Sequence, residues 1–233
     1  MWIGTYTANT LSREIDMTAV IIVANHRTGS SCLASVLQAL GVQMIPTAEP
    51  INPGDMAWED QTFVELHRKI FGEVTGEHYN PDAWRYPTLR FTPQIFAEYK
   101  TALRDRAKQM LWGFKDPRTV FTLPFVMGLA VGMELDVRLI WLKRDVGHVA
   151  ESLRQREGQY YPTDFNAVAL HQRREWEAVL SEYYDSYPSL ELSYETMTTD
   201  PMKTVIDILP MIAPHYPSQA NINKAIGLIR SPK

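Results

Sequence analysis

The sequence predicts an α/β fold, a three-layer doubly wound sandwich built around a central, mainly parallel sheet. Short, continuous runs of apolar residues are typical of strands that helices cover on both faces. Segments with helical spacing of apolar residues separate these runs, which is the pattern of parallel strands joined by right-handed crossovers. The chain has 233 residues, of which 45% are hydrophobic and 11% aromatic, enough apolar surface for one sizeable core.

Four runs have the composition of buried strands. The first, TAVIIVA at 18–24, is the clearest because it is short, β-branched and free of charge. Three further runs follow at 111–114, 137–142 and 190–194. No repeat or long linker divides them, so we expect a single domain over 1–233, with 1–16 as a possible extension.

Helical patterns fill the intervals between the predicted strands. The first helix follows the first strand closely and ends at Gly41, a residue that commonly terminates helices. The segment 72–93 is rich in Gly, Pro, Asn and Tyr, which indicates an irregular insertion or a lid. The predicted helices are 32–40, 59–71, 93–109, 119–131, 145–157, 164–185 and 200–213.

Charge and cysteine content exclude several classes of protein. Lys and Arg total 23 against 27 for Asp and Glu, a net charge of −4, which argues against a general nucleic-acid binder but permits one small cationic pocket. The single cysteine, Cys32, excludes an intramolecular disulfide framework. The longest apolar stretch, 120–133, contains Pro124 and is shorter than the roughly 20 residues of a membrane span. With no secretory signal pattern at the start, we expect a cytoplasmic protein without a transmembrane segment.

The loop that follows the first strand has the composition of a phosphate-binding loop. Its sequence, NHRTGSS at 25–31, combines a cation, three hydroxyl residues and Gly29 just before a predicted helix. Helix N-termini at the carboxyl ends of parallel strands bind anions through free N–H groups. A polar turn with an ordinary helix cap is the alternative. No lysine follows Gly29, so the loop does not match the Walker A pattern of many ATPases and GTPases.

A second cationic segment follows the strand at 137–142. Lys143 and Arg144 come directly after this strand, at the same predicted sheet edge as the first loop. Ser152 lies eight residues after Arg144, just over two helical turns along, so the two side chains are expected to share a face. A guanidinium and a nearby hydroxyl suit a phosphate group, while a solvated, charged helix start is the alternative.

Taken together, these segments resemble the sulfotransferases that use 3′-phosphoadenosine 5′-phosphosulfate (PAPS), especially bacterial-type members with a PRSGTS-like loop. HRTGSS at 26–31 is similar to the 5′-phosphosulfate loop of that family, and the Arg144–Ser152 spacing to its 3′-phosphate signature. The remaining similar segments are KDPR at 115–118, SYETM at 193–197, and NPG at 52–54 with WED at 58–60. All five occur in the order found in the family, over about 18–208.

The resemblance implies a P-loop NTPase-like fold and a metal-independent, in-line transfer of a sulfuryl group from PAPS, leaving 3′,5′-adenosine bisphosphate (PAP). The implied acceptor is a hydroxyl or amine of a small-molecule or glycan-like compound, not a nucleic acid. Tyr194 is implied to lie near the adenosine. The donor-binding residues that the resemblance implies are Arg27, Thr28, Gly29, Ser30, Ser31, Cys32, Arg144, Ser152 and Tyr194.

Four residues are candidates for catalysis. Arg27 is expected to stabilise charge on the leaving bisphosphate, and Lys115 to contact the sulfuryl or bridging oxygens. Glu59 is the first candidate for the general base and Asp116 the second. The alternatives are a glutamate in the first turn of a helix for Glu59 and a helix cap for Asp116, since Asp-Pro-Arg is typical of a helix start.

The sequence also departs from the family pattern. His26 stands where the loop usually has proline, Thr196 replaces an acidic residue, and the glycine-rich RKG loop near the C-terminus has no clear equivalent, although Arg230 or Lys233 is available to replace it. A small-molecule or nucleotide kinase with an unusual loop, and a non-catalytic nucleotide-binding module, therefore remain alternatives. Histidines such as His67 are expected to be packing or surface residues, because none has metal-ligand spacing.

Overall fold

A computed structural model describes residues 17–45, 58–73 and 87–229. Within these ranges the four predicted strands form one parallel sheet in the order β2-β1-β3-β4, which confirms the predicted α/β architecture. The predicted strand boundaries agree with the observed ones to within about one residue. The strands are β1 (Thr18–Ala24), β2 (Leu111–Lys115), β3 (Asp136–Lys143) and β4 (Ser189–Ser193).

Nine α-helices flank the sheet in the described ranges. Seven correspond to predicted helices, although the last predicted one ends as a 3-10 turn at Leu209–Ile212. Two were not predicted, and one of them, α7, begins at Tyr194, a residue that the sequence pattern had assigned to a strand. The helices are α1 (Ser30–Ala39), α2 (Gln61–Phe71), α3 (Pro93–Arg106), α4 (Thr119–Val131), α5 (Val146–Glu157), α6 (Phe165–Tyr183), α7 (Tyr194–Thr199), α8 (Pro201–Ile208) and α9 (Gln219–Leu228).

Two apolar cores sandwich the sheet. Along β1, Ala19, Ile21 and Val23 pack against helices α2, α3, α4 and α6. Val20 and Ile22 face the opposite side, where α1, α8 and α9 cover them. Both faces of this strand are therefore dry, which explains why its sequence is continuously apolar instead of alternating.

The strand register brings four chain segments to one edge of the sheet. Ile22 of β1 pairs with Lys115 at the end of β2, and Ala24 pairs with Leu142 of β3. Lys143 pairs in turn with Ser193 at the end of β4. Because all four strands run in parallel, the segments that follow them lie side by side at their carboxyl ends, where ligands bind in open α/β sheets.

Some sequence predictions lie outside the described residues. These include the possible extension 1–16, the NPG segment at 52–54, and Arg230 and Lys233. Of the predicted insertion at 72–93, the structure describes 72–73 and 87–93, and among these only Pro93, the first residue of α3, lies in a helix or strand. In the described ranges, no helix is both long enough and apolar enough to cross a bilayer.

Candidate active site

The β1–α1 loop, residues 25–29, is held rigidly by its own polar groups. The Asn25 amide donates a hydrogen bond of 2.8 Å to the Gln172 carbonyl of α6, and the Thr28 hydroxyl donates one of 2.8 Å to the Asn25 carbonyl. Arg27 and Gly29 have positive φ angles of 62° and 92°, and such a conformation favours glycine. The Thr28 hydroxyl therefore stabilises the conformation of the loop.

The N-terminus of α1 differs from that of most other helices. Its N-cap is Gly29, and no side chain caps it. The backbone N–H groups of Cys32 and Leu33 donate to the Gly29 carbonyl. The N–H groups of Ser30 and Ser31 lie at the first two helical positions, where an α-helix supplies no acceptor. Among the described helices only α1 and α4 lack a side-chain cap; the other seven are capped by Asp60, Thr92, Asp145, Asp164, Ser193, Asp200 and Ser218.

Tyr194 lies between Gly29 and Arg144. A β-carbon built on Gly29 would come within 2.2 Å of Tyr194 Cδ2, so glycine allows the aromatic ring to lie directly on the loop. The Arg144 guanidinium carbon is 4.4 Å from the centre of the same ring, and its Nη1 donates to the Arg27 carbonyl at 3.0 Å. The Arg144 Nε is buried, and no acceptor for it exists in the described part of the chain.

Arg27 also connects the loop to α5. Its Nε donates a hydrogen bond of 2.9 Å to the Ser152 hydroxyl, across 125 positions of sequence. The structure therefore brings together Arg27, Gly29, Arg144, Ser152 and Tyr194, which come from three separate segments of the sequence. Their contacts form one cationic cluster at the carboxyl ends of β1, β3 and β4.

Glu59 and Lys115 form a buried ion pair beside this cluster. The Lys115 ammonium donates to Glu59 Oε1, and the two side chains are only 3% and 8% exposed. Burial raises the pKa of Glu59, partly offset by the positive charge of Lys115. The alternative that Glu59 belongs to a helix turn is wrong, because α2 begins at Gln61 with Asp60 as its cap.

Asp116 is enclosed by a second set of partners. Its Oδ1 accepts from the Arg118 backbone N–H at 2.8 Å, and the Arg118 guanidinium lies 3.1 Å from it. His67 Nδ1 lies 3.3 Å from Oδ2. Burial alone would raise the pKa of Asp116, but Arg118 and His67 hold it well below its usual value. The helix-cap alternative is only partly right, since this bond precedes α4, which starts at Thr119.

His67 belongs to the polar network that sequence reasoning missed. Its Nε2 lies 2.9 Å from the Tyr99 hydroxyl and 3.1 Å from the Thr122 hydroxyl, and its side chain is fully buried. Arg118 extends the network to Glu73 through a 2.6 Å contact. One sequence feature could have indicated this network: a histidine on the apolar face of a helix is buried and therefore needs polar partners.

Two candidate residues lie apart from the cluster. Lys143 forms an ion pair with Glu191 of β4, so its charge is already neutralised. Cys32 directs its sulfur to the Leu228 carbonyl of α9, 3.8 Å away, and packs with the core on that face.

Comparisons with known proteins give a structural likeness. No protein-family model matches the chain, and no curated protein matches it. Among solved structures, the sulfotransferase domain from the Synechococcus PCC 7002 olefin synthase matches with a TM-score of 0.54 at 16% identity, covering 89% of this chain and 76% of that domain. The sulfotransferase domain from the curacin biosynthetic pathway matches with a TM-score of 0.54 at 14% identity, covering 90% and 77%. The chain therefore shares the overall fold of these two sulfotransferase domains.

Proposed function

We propose that this protein is a sulfotransferase that moves a sulfuryl group from PAPS to a hydroxyl or amine of a small-molecule or glycan-like acceptor. The observation that carries this proposal is the contact set joining Arg27, Arg144 and Ser152. These residues come from the two segments that resemble the family's 5′-phosphosulfate and 3′-phosphate motifs. Their side chains and backbone meet at one sheet edge, although 117 and 125 positions separate them in sequence.

The residues at this edge fit a nucleotide with two anionic groups. The uncapped N-terminus of α1 and Arg27 suit the 5′ group, since both carry positive charge and N–H donors. Arg144 and Ser152 suit the 3′-phosphate, and the buried Arg144 Nε lacks an acceptor that a phosphate oxygen would supply. Tyr194, packed on Gly29 and Arg144, suits the adenosine.

Glu59, Lys115 and Asp116 have different roles in the proposed transfer. PAPS supplies the activated sulfuryl group when it is bound. Glu59 is suited to accept the acceptor's proton, because its raised pKa makes it a stronger base than an ordinary glutamate. Lys115 neutralises charge near the reacting oxygens. Asp116 is unsuited as the base, because its partners hold it ionised, and it positions the segment that carries Lys115.

The test is an acceptor screen with isotopically labelled PAPS, read by mass spectrometry for a sulfuryl adduct. The wild type should give an adduct with at least one acceptor. Glu59→Gln should bind PAP at least as tightly as the wild type and lose transfer. Glu98→Gln is a matched control, since Glu98 is a partly exposed glutamate that also pairs with a lysine, Lys69, far from the cluster.

Other outcomes separate the alternatives. Full transfer by Glu59→Gln would remove Glu59 as the base. Selective PAP binding with no adduct across the screen would indicate a non-catalytic nucleotide-binding module. A requirement for ATP with magnesium, and transfer of a phosphoryl group, would indicate a kinase.

A further inference from the structure

Lys115 and Glu59 neutralise each other's charge in a buried ion pair. The two side chains form a direct ion pair and are almost completely shielded from water. A buried carboxylate stays ionised only while a cation or several hydrogen-bond donors compensate it. Within the described residues, the ion-pair partner of Lys115 is Glu59.

Lys115 lies beside the loop that is proposed to hold the donor. It pairs in the sheet with Ile22, three residues before the start of the β1–α1 loop at Asn25. Its positive charge is also one of the causes that lower the pKa of His26 in that loop, after burial, Arg118 and Arg156, with Asp116 acting in the opposite direction. The ammonium group that pairs with Glu59 therefore belongs to the strand next to β1, whose loop is proposed to bind the 5′ group of the nucleotide.

No other described cation is placed to take over from Lys115. Asp116 and Arg118 also act on Glu59, the first raising its pKa and the second lowering it. Arg118, however, is already engaged by Asp116 and Glu73. Asp60, the next residue along the chain, is itself a carboxylate and pairs with Arg106. Movement of the ammonium away from Glu59 therefore leaves this carboxylate without an ion-pair partner among the described residues.

We propose, on the basis of the proposed function, that PAP and a proton on Glu59 are bound together and released together, because Lys115 neutralises only one of the two anions at a time. In the transfer step, the acceptor oxygen or nitrogen forms a bond to sulfur while the bond from sulfur to the bridging oxygen breaks. The electron pair of the broken bond stays on the 5′-phosphate of PAP, and the acceptor's proton passes to Glu59. Lys115 pairs with the phosphate while PAP is bound. When PAP leaves, Lys115 pairs again with Glu59, which gives its proton to solvent and is ready for another cycle.

Proton uptake on PAP binding tests this exchange directly. Isothermal titration calorimetry of PAP into the free protein, in two buffers with different ionisation enthalpies, gives the number of protons taken up. The wild type should take up more than Glu59→Gln, by up to one proton per site, because the PAP phosphates titrate equally in both. Glu98→Gln should behave as the wild type. Equal uptake in the wild type and Glu59→Gln, with both folded by circular dichroism, overturns the proposal.

The wild type alone provides a second test if Glu59→Gln does not fold. PAP affinity should tighten as the pH falls from about 8 to about 6.5, the direction expected for a buried carboxylate that gains a proton on binding. Protonation of the phosphates acts in the opposite direction, since it removes ligand charge. Affinity that is flat or weakens over this range, after correction for the measured protonation of free PAP, overturns the exchange while leaving the sulfotransferase proposal intact. Failure of PAP to bind at any pH overturns both.

Discussion

Two neighbouring strand ends of this protein handle charge in opposite ways. After β1, the loop combines Arg27 with polar residues and backbone groups, and the helix that follows has no side-chain cap. At the end of β2 and directly after it, Lys115, Asp116 and Arg118 are buried, and each is paired within the protein. The first segment is suited to an anion from outside, whereas the second neutralises its own charges. The difference indicates that nucleotide binding and proton transfer are carried out by separate neighbouring segments.

The largest expected effect is a loss of stability when one of the paired buried charges after β2 is removed. Asp116→Ala leaves Arg118 and His67 without their shared carboxylate in a buried site. Removal of one partner from a buried ion pair costs about 3–5 kcal/mol, so the free energy of unfolding measured in urea should fall by that order. As a control, Asp105→Ala removes an exposed pair with Lys108 and should leave the urea midpoint unchanged. Equal stability of the two variants would contradict the proposed difference between the two strand ends.

The next effect concerns the close approach of Tyr194 to the β1–α1 loop. Gly29→Ala adds a methyl group that meets the Tyr194 ring in a backbone conformation with φ of 92°. We expect a stability loss of about 1–2 kcal/mol from the backbone alone, plus weaker PAP binding as the ring is displaced. Gly41→Ala is a matched control, because Gly41 has φ of 103° but nothing within 4 Å of its added carbon. If both variants bind PAP equally well, the Tyr194 contact has no role in the site.

Loss of the contacts that Arg144 and Ser152 make with Arg27 should reduce the affinity for PAP without unfolding the protein. Arg144→Ala and Ser152→Ala should each weaken PAP binding about tenfold, roughly 1.4 kcal/mol, because each removes a donor proposed for the 3′-phosphate. Their effects should not add, since both residues contact Arg27. Arg154→Ala, which removes an exposed pair with Glu151 on the same helix, should bind PAP as the wild type does. Additive effects in a double-mutant cycle would show that Arg27 does not couple them.

The smallest expected effect is a pH dependence of stability arising from His26. Burial, with Arg118, Arg156 and Lys115 nearby, lowers the pKa of His26 well below 6.5, and Asp116 opposes this only in part. A group with a lowered pKa contributes stability above its unfolded pKa and loses it as the pH falls below that value. The free energy of unfolding should therefore decrease below pH 6.5 by at most about 1.4 kcal/mol per pH unit. His26→Gln should reduce this slope; an unchanged slope would show that His26 is not responsible.

The sequence predicted the features that depend on local pattern. The boundaries of β1 and the polar loop after it follow from continuous apolar residues and a glycine before a helix. The start of α7 was missed because Leu190 to Tyr194 has a strand-like composition, although Ser193 caps the helix by accepting from the Thr196 N–H. α9 was missed because Ala225 is its only buried residue, so its apolar pattern is weak.

The partners of the buried charges were beyond what sequence pattern shows. Glu59 and Lys115 are 56 positions apart, and nothing in the composition of either segment indicates that they pair. His67 and Asp116 likewise come from different elements, α2 and the end of β2, and meet only because α2 packs on that face of the sheet. The resemblance to a family placed Glu59 and Lys115 among the candidates, but the ion pair that couples their charges depends on the three-dimensional packing.

The central claim, that the cluster around Arg27 and Arg144 binds a nucleotide with a 3′-phosphate, is tested most directly by thermal shift with PAP, ATP and ATP–magnesium at equal concentrations. A ligand that binds only the folded protein raises its melting temperature, and at equal concentration a tighter ligand raises it more. PAP should stabilise the wild type more than either form of ATP does, and Arg144→Ala should reduce that preference. Greater stabilisation by ATP–magnesium, or a preference for PAP that is as large in Arg144→Ala as in the wild type, would contradict it.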